Sequence, residues 1–216
     1  MPDPPADWTD RVREVYDRTA RGYDLALAAF PLVGFRAGAY RRAAIDALQV
    51  RPGDTVLDVG CGTGRNLPIL AQAVGEGGRV VGLDVSSGAL DRACQRTRDL
   101  PQVELVHADA LSADFGTPDR LLATFSLSMM PDPEAVVERA VGALAPGGRL
   151  SVLDFRIPRS WPGLVQTAAF RLAAPLGETW EMARRDLRPV VAAHVALDAD
   201  RSFFFGGAYV AAGAPR

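Results

Sequence analysis

The chain has 216 residues, 48% of them apolar and 23% charged, an ordinary globular composition that excludes wholesale disorder, collagen-like repeats and coiled coil. Its 26 acids and 24 bases leave a net charge of −2, which gives no global attraction to nucleic acid. Every base is arginine, so a lysine Schiff base, a lysine general base and a P-loop lysine are all excluded, and Cys61 and Cys94 make neither a disulfide framework nor a four-cysteine zinc site.

In chain order, residues 1–9 are rich in Pro and Asp and read as a frayed end. A helical pattern runs from Asp10 to about Phe30, and a second from Gly38 to Leu48. The period then changes. Thr55 to Val59 is a short apolar run bounded by Pro52-Gly53 and by glycines, the pattern of a buried strand. Asn66 to Val74 reads as a helix, Arg79 to Val85 as a strand, Gly88 to Arg98 as a helix and Val103 to His107 as a strand. Arg120 to Phe125 is a fourth strand. Asp132-Pro133 is an N-cap with proline at the first helical position, opening a helix to about Leu144. The turn Pro146-Gly147-Gly148 announces a fifth strand, Arg149 to Phe155. Pro158 to Val195 reads as mostly helical and irregular, and Ser202 to Phe205 and Ala208 to Ala212 flank Gly206-Gly207 as a closing hairpin.

Apolar strands alternating with helices imply an α/β fold with a doubly wound, mostly parallel sheet. Residues 1–50 are expected to form an N-terminal helical cap or lid, and residues 51–216 the main domain, with a helical insertion near 158–195. No apolar leader opens the chain, and its longest weakly charged stretch, Gly163 to Gly177, is broken by Arg171 and Pro175. A cytoplasmic protein is expected, with peripheral contact at a membrane surface left open. Spacing shows no metal cluster, and oligomeric state is not legible.

The first strand runs into Asp58-Val59-Gly60-Cys61-Gly62-Thr63-Gly64-Arg65-Asn66. A glycine-rich turn from strand to helix lets a ligand approach the backbone. A tight packing turn and a dinucleotide fingerprint both compete with that reading. The fingerprint needs a third glycine where Arg65 stands. Asp84 ends the second strand, 20 residues beyond Gly64, where a carboxylate can accept both hydroxyls of a ribose. Asp109 follows the third strand. In a doubly wound sheet these strand ends share one edge, so the loop and both carboxylates converge on one crevice.

These segments, with His107-Ala108-Asp109-Ala110 and Leu144-Ala145-Pro146-Gly147-Gly148-Arg149-Leu150, resemble in order the motifs of the class I S-adenosylmethionine-dependent methyltransferases. The resemblance covers about residues 54–155 and implies a seven-stranded Rossmann-like sheet and S-adenosyl-L-methionine as cofactor. It implies a binding set of Tyr23, Asp58, Gly60, Cys61, Gly62, Gly64, Asn66, Asp84, Val85, Asp109, Ala110 and Phe125. In that set the glycines admit the methionine portion, Asp58 lies beneath the loop, Asp84 holds the ribose, Val85 lines the adenine and Asp109 accepts from its amino group. Thr124 to Leu127 border the methionine end. Ser128 stands where the family more often has histidine, so no catalytic base is named. Tyr16-Asp17 and Tyr23-Asp24 resemble a signature of quinone-biosynthesis and phospholipid N-methyltransferases. The segment Phe125 to Asp132 resembles the lipid group more closely. The expected acceptor is apolar or lipid-like, such as the amine of phosphatidylethanolamine. The alternatives are C- or O-methylation of a quinone-like or other small metabolite, and a non-catalytic cofactor-binding homologue. Arginines of the first helix and Arg36, Arg41 and Arg42 read as a solvated or membrane-facing basic surface, and Trp161, Leu164, Phe170, Leu172, Leu176 and Trp180 as an acceptor wall or a cover for the sheet.

Overall fold

A computed structural model describes residues 34–174 and 179–216. Tyr16, Tyr23, the expected first helix and Leu176 lie outside the described residues. The elements are α1 (Ala37–Leu48), β1 (Thr55–Val59), α2 (Leu67–Val74), β2 (Arg79–Asp84), α3 (Ser87–Thr97), β3 (Val103–His107), β4 (Arg120–Thr124), α4 (Pro133–Ala143), β5 (Arg149–Phe155), α5 (Gly163–Ala173), α6 (Arg188–His194), β6 (Val195–Phe203) and β7 (Ala208–Pro215). The sheet order is β3-β2-β1-β4-β5-β7-β6. The first five strands in that order pair in parallel, and β7 runs antiparallel to both β5 and β6. The order reverses between β1 and β4, which makes their carboxyl ends a topological switch point.

Alternation along each strand sends side chains to two cores. Val56, Val80, Leu122, Leu153 and Val210 pack with Tyr40, Ile45 and Leu48 of α1 and with Leu67, Leu70 and Val74 of α2. Leu57, Val59, Leu121, Val152 and Tyr209 pack on the opposite face with Val136, Val137 and Ala140 of α4 and Val191 of α6. Each fully buried Leu or Val contributes about 1.5–3 kcal/mol relative to exposure.

Helix α1, inside the stretch read as the cap, packs directly on the sheet. Its last carbonyls have no intrahelical partners, and cations from the strands take them. Arg149 Nη2 donates to Ala47 O at 3.1 Å, and Arg120 Nε to Gln49 O at 3.2 Å. Both guanidiniums sit at the negative end of the helix dipole. Gln49 ends the helix in the left-handed region, φ +55°. Side chains cap two further helices: Ser86 Oγ accepts from Ala89 N at 3.1 Å, and Asp132 Oδ1, read as an N-cap in the sequence, from Ala135 N at 3.0 Å.

Most element ends lie within a residue of the sequence reading, and two of the differences have a clear physical reason. The stretch Val195 to Phe203 is one nine-residue strand rather than the end of a helical insertion and a short hairpin arm. Its Ala-rich start fits a helix locally, but pairing with β7 over Val195↔Pro215 to Phe203↔Ala208 overrides propensity. Strand β4 ends at Thr124, because Phe125 turns to φ +54°. The hairpin is present, its arms joined by a tight turn at Phe204–Gly206 in which all three residues have positive φ. No helix among the described residues is long and apolar enough to cross a membrane.

Candidate functional site

A cavity runs along the carboxyl ends of β3, β2, β1 and β4, and the glycine loop forms its floor. Gly60 N and Cys61 N both donate to Leu83 O, at 2.8 and 3.0 Å, which ties the loop to β2. Gly60, Gly62 and Gly64 have φ +69°, +55° and +75°, a region that L side chains enter at a cost of about 1–2 kcal/mol. Their surroundings differ. A Cβ on Gly60 would lie 2.5 Å from Ser126 Cβ, and one on Gly64 2.9 Å from Ala93 Cβ. A Cβ on Gly62 would meet nothing within 4 Å. Gly60 and Gly64 are therefore glycines for packing, and Gly62 alone keeps open space above the loop.

Asp84 is the electrostatic pivot. Its Oδ2 accepts from Gly62 N at 2.7 Å and its Oδ1 from Ser86 N at 2.9 Å. Burial pushes this carboxyl above its ordinary range, against the amides of Ser86, Gly62 and Val85. Asp109 Oδ1 accepts from Leu111 N at 2.8 Å, which fixes the turn after β3. Asp84, Val85, Asp109, Ala110, Gly60, Cys61, Gly62 and Phe125 all line the cavity.

Asp58, Asn66 and Gly64 do not line it. Asp58 is fully buried beneath the loop, and Asn66 Nδ2 donates to its two oxygens at 3.2 and 3.0 Å. Burial raises Asp58 to about 6; the Asn66 hydrogen bond and the Arg41 charge pull it down, and Asp84 pushes it up. Burial likewise raises the Cys61 thiol, with Asp84 and Asp58 adding to it. Asn66 Nδ2 also donates to Thr124 Oγ1 at 2.9 Å, which ties α2 to the end of β4.

Sequence reasoning missed Arg41. It lines the cavity instead of joining a basic surface. Its Nη1 donates to Asn66 Oδ1 at 3.1 Å and to Thr124 Oγ1, and its guanidinium carbon lies 5.0 Å from the Phe125 ring centroid. The signal was present: Arg41 precedes Ile45 by four and Leu48 by seven on the buried stripe of α1. Met129, Met130 and Pro131 add apolar lining beside Phe125.

Ser128 faces away from the cavity. Its amide and hydroxyl donate to the buried Asp154 at 2.8 and 2.9 Å, and burial raises Asp154 to about 6. His107 is exposed, with Nε2 3.0 Å from Val85 O. Trp161, Leu164, Phe170 and Trp180 are not among the residues lining the cavity, and Leu164 is 88% exposed.

Residues 57–150 match the family model of a methyltransferase domain. The chain carries a class I S-adenosylmethionine-dependent methyltransferase domain. The chain is 34% identical over 153 residues to the demethylmenaquinone methyltransferase of Bacillus cereus, covering 69% of this chain and 64% of that protein. It is 37% identical over 123 residues to the 2-phytyl-1,4-naphtoquinone methyltransferase of Thermosynechococcus vestitus, covering 56% of this chain and 55% of that one. The chain thus spans less than two-thirds of the length of these relatives. Among solved structures, the putative methyltransferase bound to the Trm112 methyltransferase activator of Haloferax volcanii superposes with a TM-score of 0.72 at 18% identity, over 93% of this chain and 98% of that one. At that identity the likeness concerns the fold. The open space at Gly62, the carboxylates of Asp84 and Asp109 and the apolar lining beyond Thr124 fit the cofactor of this methyltransferase class.

Proposed function

We propose that this chain transfers the methyl group of S-adenosylmethionine to a small, apolar, quinone-like acceptor. The observation that carries the reading is the cavity itself, with acceptors for a nucleoside at β2 and β3 and apolar walls at β4. Asp84 would take the ribose hydroxyls, Asp109 the adenine amino group, and Val85 and Ala110 the ring, with Gly60, Cys61 and Gly62 beneath the sulfur. Asn66 and Asp58 brace the loop from below. When bound, the sulfonium supplies both the methyl group and its leaving group. The chain's task is alignment, which is worth several kcal/mol in a near-attack geometry. Phe125, Met129, Met130 and Pro131 would hold an apolar acceptor and exclude water. The quinone relatives support this acceptor over phosphatidylethanolamine.

Purified protein should bind S-adenosylhomocysteine and not NAD in calorimetry. It should form S-adenosylhomocysteine with 1,4-naphthohydroquinones and not with phosphatidylethanolamine vesicles. Turnover on the vesicles alone would reinstate the lipid acceptor. Cofactor binding without turnover across an acceptor panel would favour a non-catalytic homologue.

A further inference from the structure

The apolar wall of the cavity is carried by one short segment. Strand β4 ends at Thr124, and Phe125, Met129, Met130 and Pro131 follow it outside the β4–β5 ladder. A segment outside a ladder is placed by what grips it. Ser126 Oγ donates to Val59 O at 2.9 Å, which anchors its start. Asp154 takes the Ser128 amide and hydroxyl. A further grip comes from Arg185, 55 residues beyond Met130 in the chain: its Nη1 donates to Ser128 O at 3.1 Å and to Met130 O at 2.8 Å. Carbonyls at the end of a helical turn have no partner within it, and here one cationic nitrogen bridges two of them. Arg185 is itself fixed. Its side chain is 14% exposed, and Glu181 Oε1 lies 3.6 Å from its Nη2. The chain is tied down on both sides of it, by the Ile157 amide on Ala183 O and by the Leu187 amide on the Tyr209 hydroxyl at 3.0 Å.

The wall reaches the glycine loop. The Met130 methyl carbon lies 3.5 Å from where a Cβ on Gly60 would stand. Methionine has three rotatable bonds and adapts to what it touches, so the backbone, more than the side chains, sets the place of this wall. We propose that Arg185 is a positioning residue for the methyl acceptor: by bridging Ser128 O and Met130 O it holds Met129, Met130 and Pro131 where an apolar acceptor meets the transferable methyl group in line. A misplacement of about 1 Å in such an alignment can cost roughly 100-fold in rate. Arg185 is not among the residues lining the cavity, so its effect travels through the backbone of residues 128–130. The adjacent Arg184 is engaged elsewhere, with Nη2 donating to Gln166 Oε1 at 2.8 Å and its guanidinium carbon 4.4 Å from the Trp180 ring centroid. The inference rests on the reading that the acceptor lies against this wall.

The test pairs kinetics with a spectrum that needs no acceptor. In steady-state turnover of a 1,4-naphthohydroquinone, Arg185→Gln should lower kcat/KM for the acceptor about 10- to 100-fold, while its Kd for S-adenosylhomocysteine stays within about 3-fold of wild type. Arg185→Lys keeps a cationic nitrogen on a shorter stem and should retain part of the lost rate. Arg184→Gln should match wild type. The sequence has four methionines, Met1, Met129, Met130 and Met182, so carbon-13 methyl-methionine NMR reads the wall directly. In the complex with S-adenosylhomocysteine, Arg185→Gln should shift or broaden the Met129 and Met130 methyl signals, assigned through Met129→Leu and Met130→Leu, and Arg184→Gln should leave them in place. Circular dichroism and thermal midpoint check that each variant is folded. If Arg185→Gln fails to fold, Arg185→Lys carries the test, and wild-type kcat/KM with wild-type methyl positions in that variant overturns the proposal. So do unmoved methyl signals in folded Arg185→Gln, and so do equal losses of cofactor affinity and acceptor turnover, which mark a merely structural arginine. Wild type that binds S-adenosylhomocysteine but turns over no hydroquinone overturns the acceptor reading and this inference with it, whereas turnover that Arg185→Gln leaves intact overturns the inference alone.

Discussion

Gly62 and Gly64 are two residues apart in one loop, yet alanine at the two positions should fail in opposite ways. At Gly64, φ is +75°, and the added Cβ would lie 2.9 Å from Ala93 Cβ, 3.0 Å from Ala93 Cα and 3.1 Å from Leu67 Cδ1. Left-handed strain costs about 1–2 kcal/mol and overpacking about 1–3 kcal/mol more, since the backbone of α3 must move. Gly64→Ala should therefore lose about 2–5 kcal/mol, a large part of the roughly 5–15 kcal/mol that holds a domain of this kind. At Gly62, φ is +55° and the Cβ meets no protein atom within 4 Å. Only the strain of about 1–2 kcal/mol applies there. The methyl group instead occupies ligand space, so S-adenosylhomocysteine affinity should fall about 10- to 100-fold by the same overpacking range. Urea denaturation with a common slope gives the stabilities, and calorimetry gives the affinities. Equal stability losses at the two positions would refute the packing role of Gly64. Wild-type affinity in the folded Gly62→Ala variant would refute the place of the loop under the ligand.

Asp84→Ala removes the acceptor of the Gly62 amide and of the proposed ribose contact, and S-adenosylhomocysteine binding should weaken by about 1.5–3 kcal/mol in calorimetry; an unchanged constant would exclude Asp84 from the contact. Asp58 and Asp154 each rise from 3.8 to about 6 through burial. Between those values the folded chain keeps protons that the unfolded chain has released, so each group's penalty is full above pH 6 and fades as pH falls toward 4. Each contributes about 3 kcal/mol to that trend, and carboxyl-carbon NMR should show both midpoints near 6, with ordinary midpoints disproving the burial account. Phe205 has φ +53° and is 90% exposed. Phe205→Gly should thus raise stability by up to about 1 kcal/mol in urea melts, and a loss would reveal a packing role for the ring.

The parallel half of the sheet was legible because each of its strands is a short apolar run between turn residues, with Thr55–Val59 and Arg149–Phe155 read to the residue. The cavity-lining glycines and Asp84 were legible because their spacing follows from where strands end. Arg41 was legible only in part: its spacing to Ile45 and Leu48 puts it on the inward stripe of α1, but that the stripe meets the end of β4 follows from packing alone. The start of β6 was hidden for a related reason. Alanine and aspartate within Val195–Phe203 carry no strand signal of their own, and the pairing partner decides. The roles of Gly60 and Gly64 as packing glycines could not be told from that of Gly62, since all three share one motif and differ only in what faces their α-carbons.

Strand β7 lies between β5 and β6, although it follows both in the chain. During synthesis the outer edge of β5 consequently stays without its neighbour until residues 208–215 have emerged, and β6 has no strand to pair with before then. At about 5–20 residues per second the first four parallel pairings and helices α1 to α4 can assemble seconds earlier, leaving an incomplete sheet in which β5 is a second edge beside β3. Such an edge is a template for foreign strands. A ribosome that stalls, or a message truncated, anywhere between residues 156 and 207 would release that intermediate, and its fate would be capture by a chaperone or aggregation through β5. Fluorescence or protease pulses on arrested nascent chains should therefore show full protection arriving in one late step, when the last strand closes the gap.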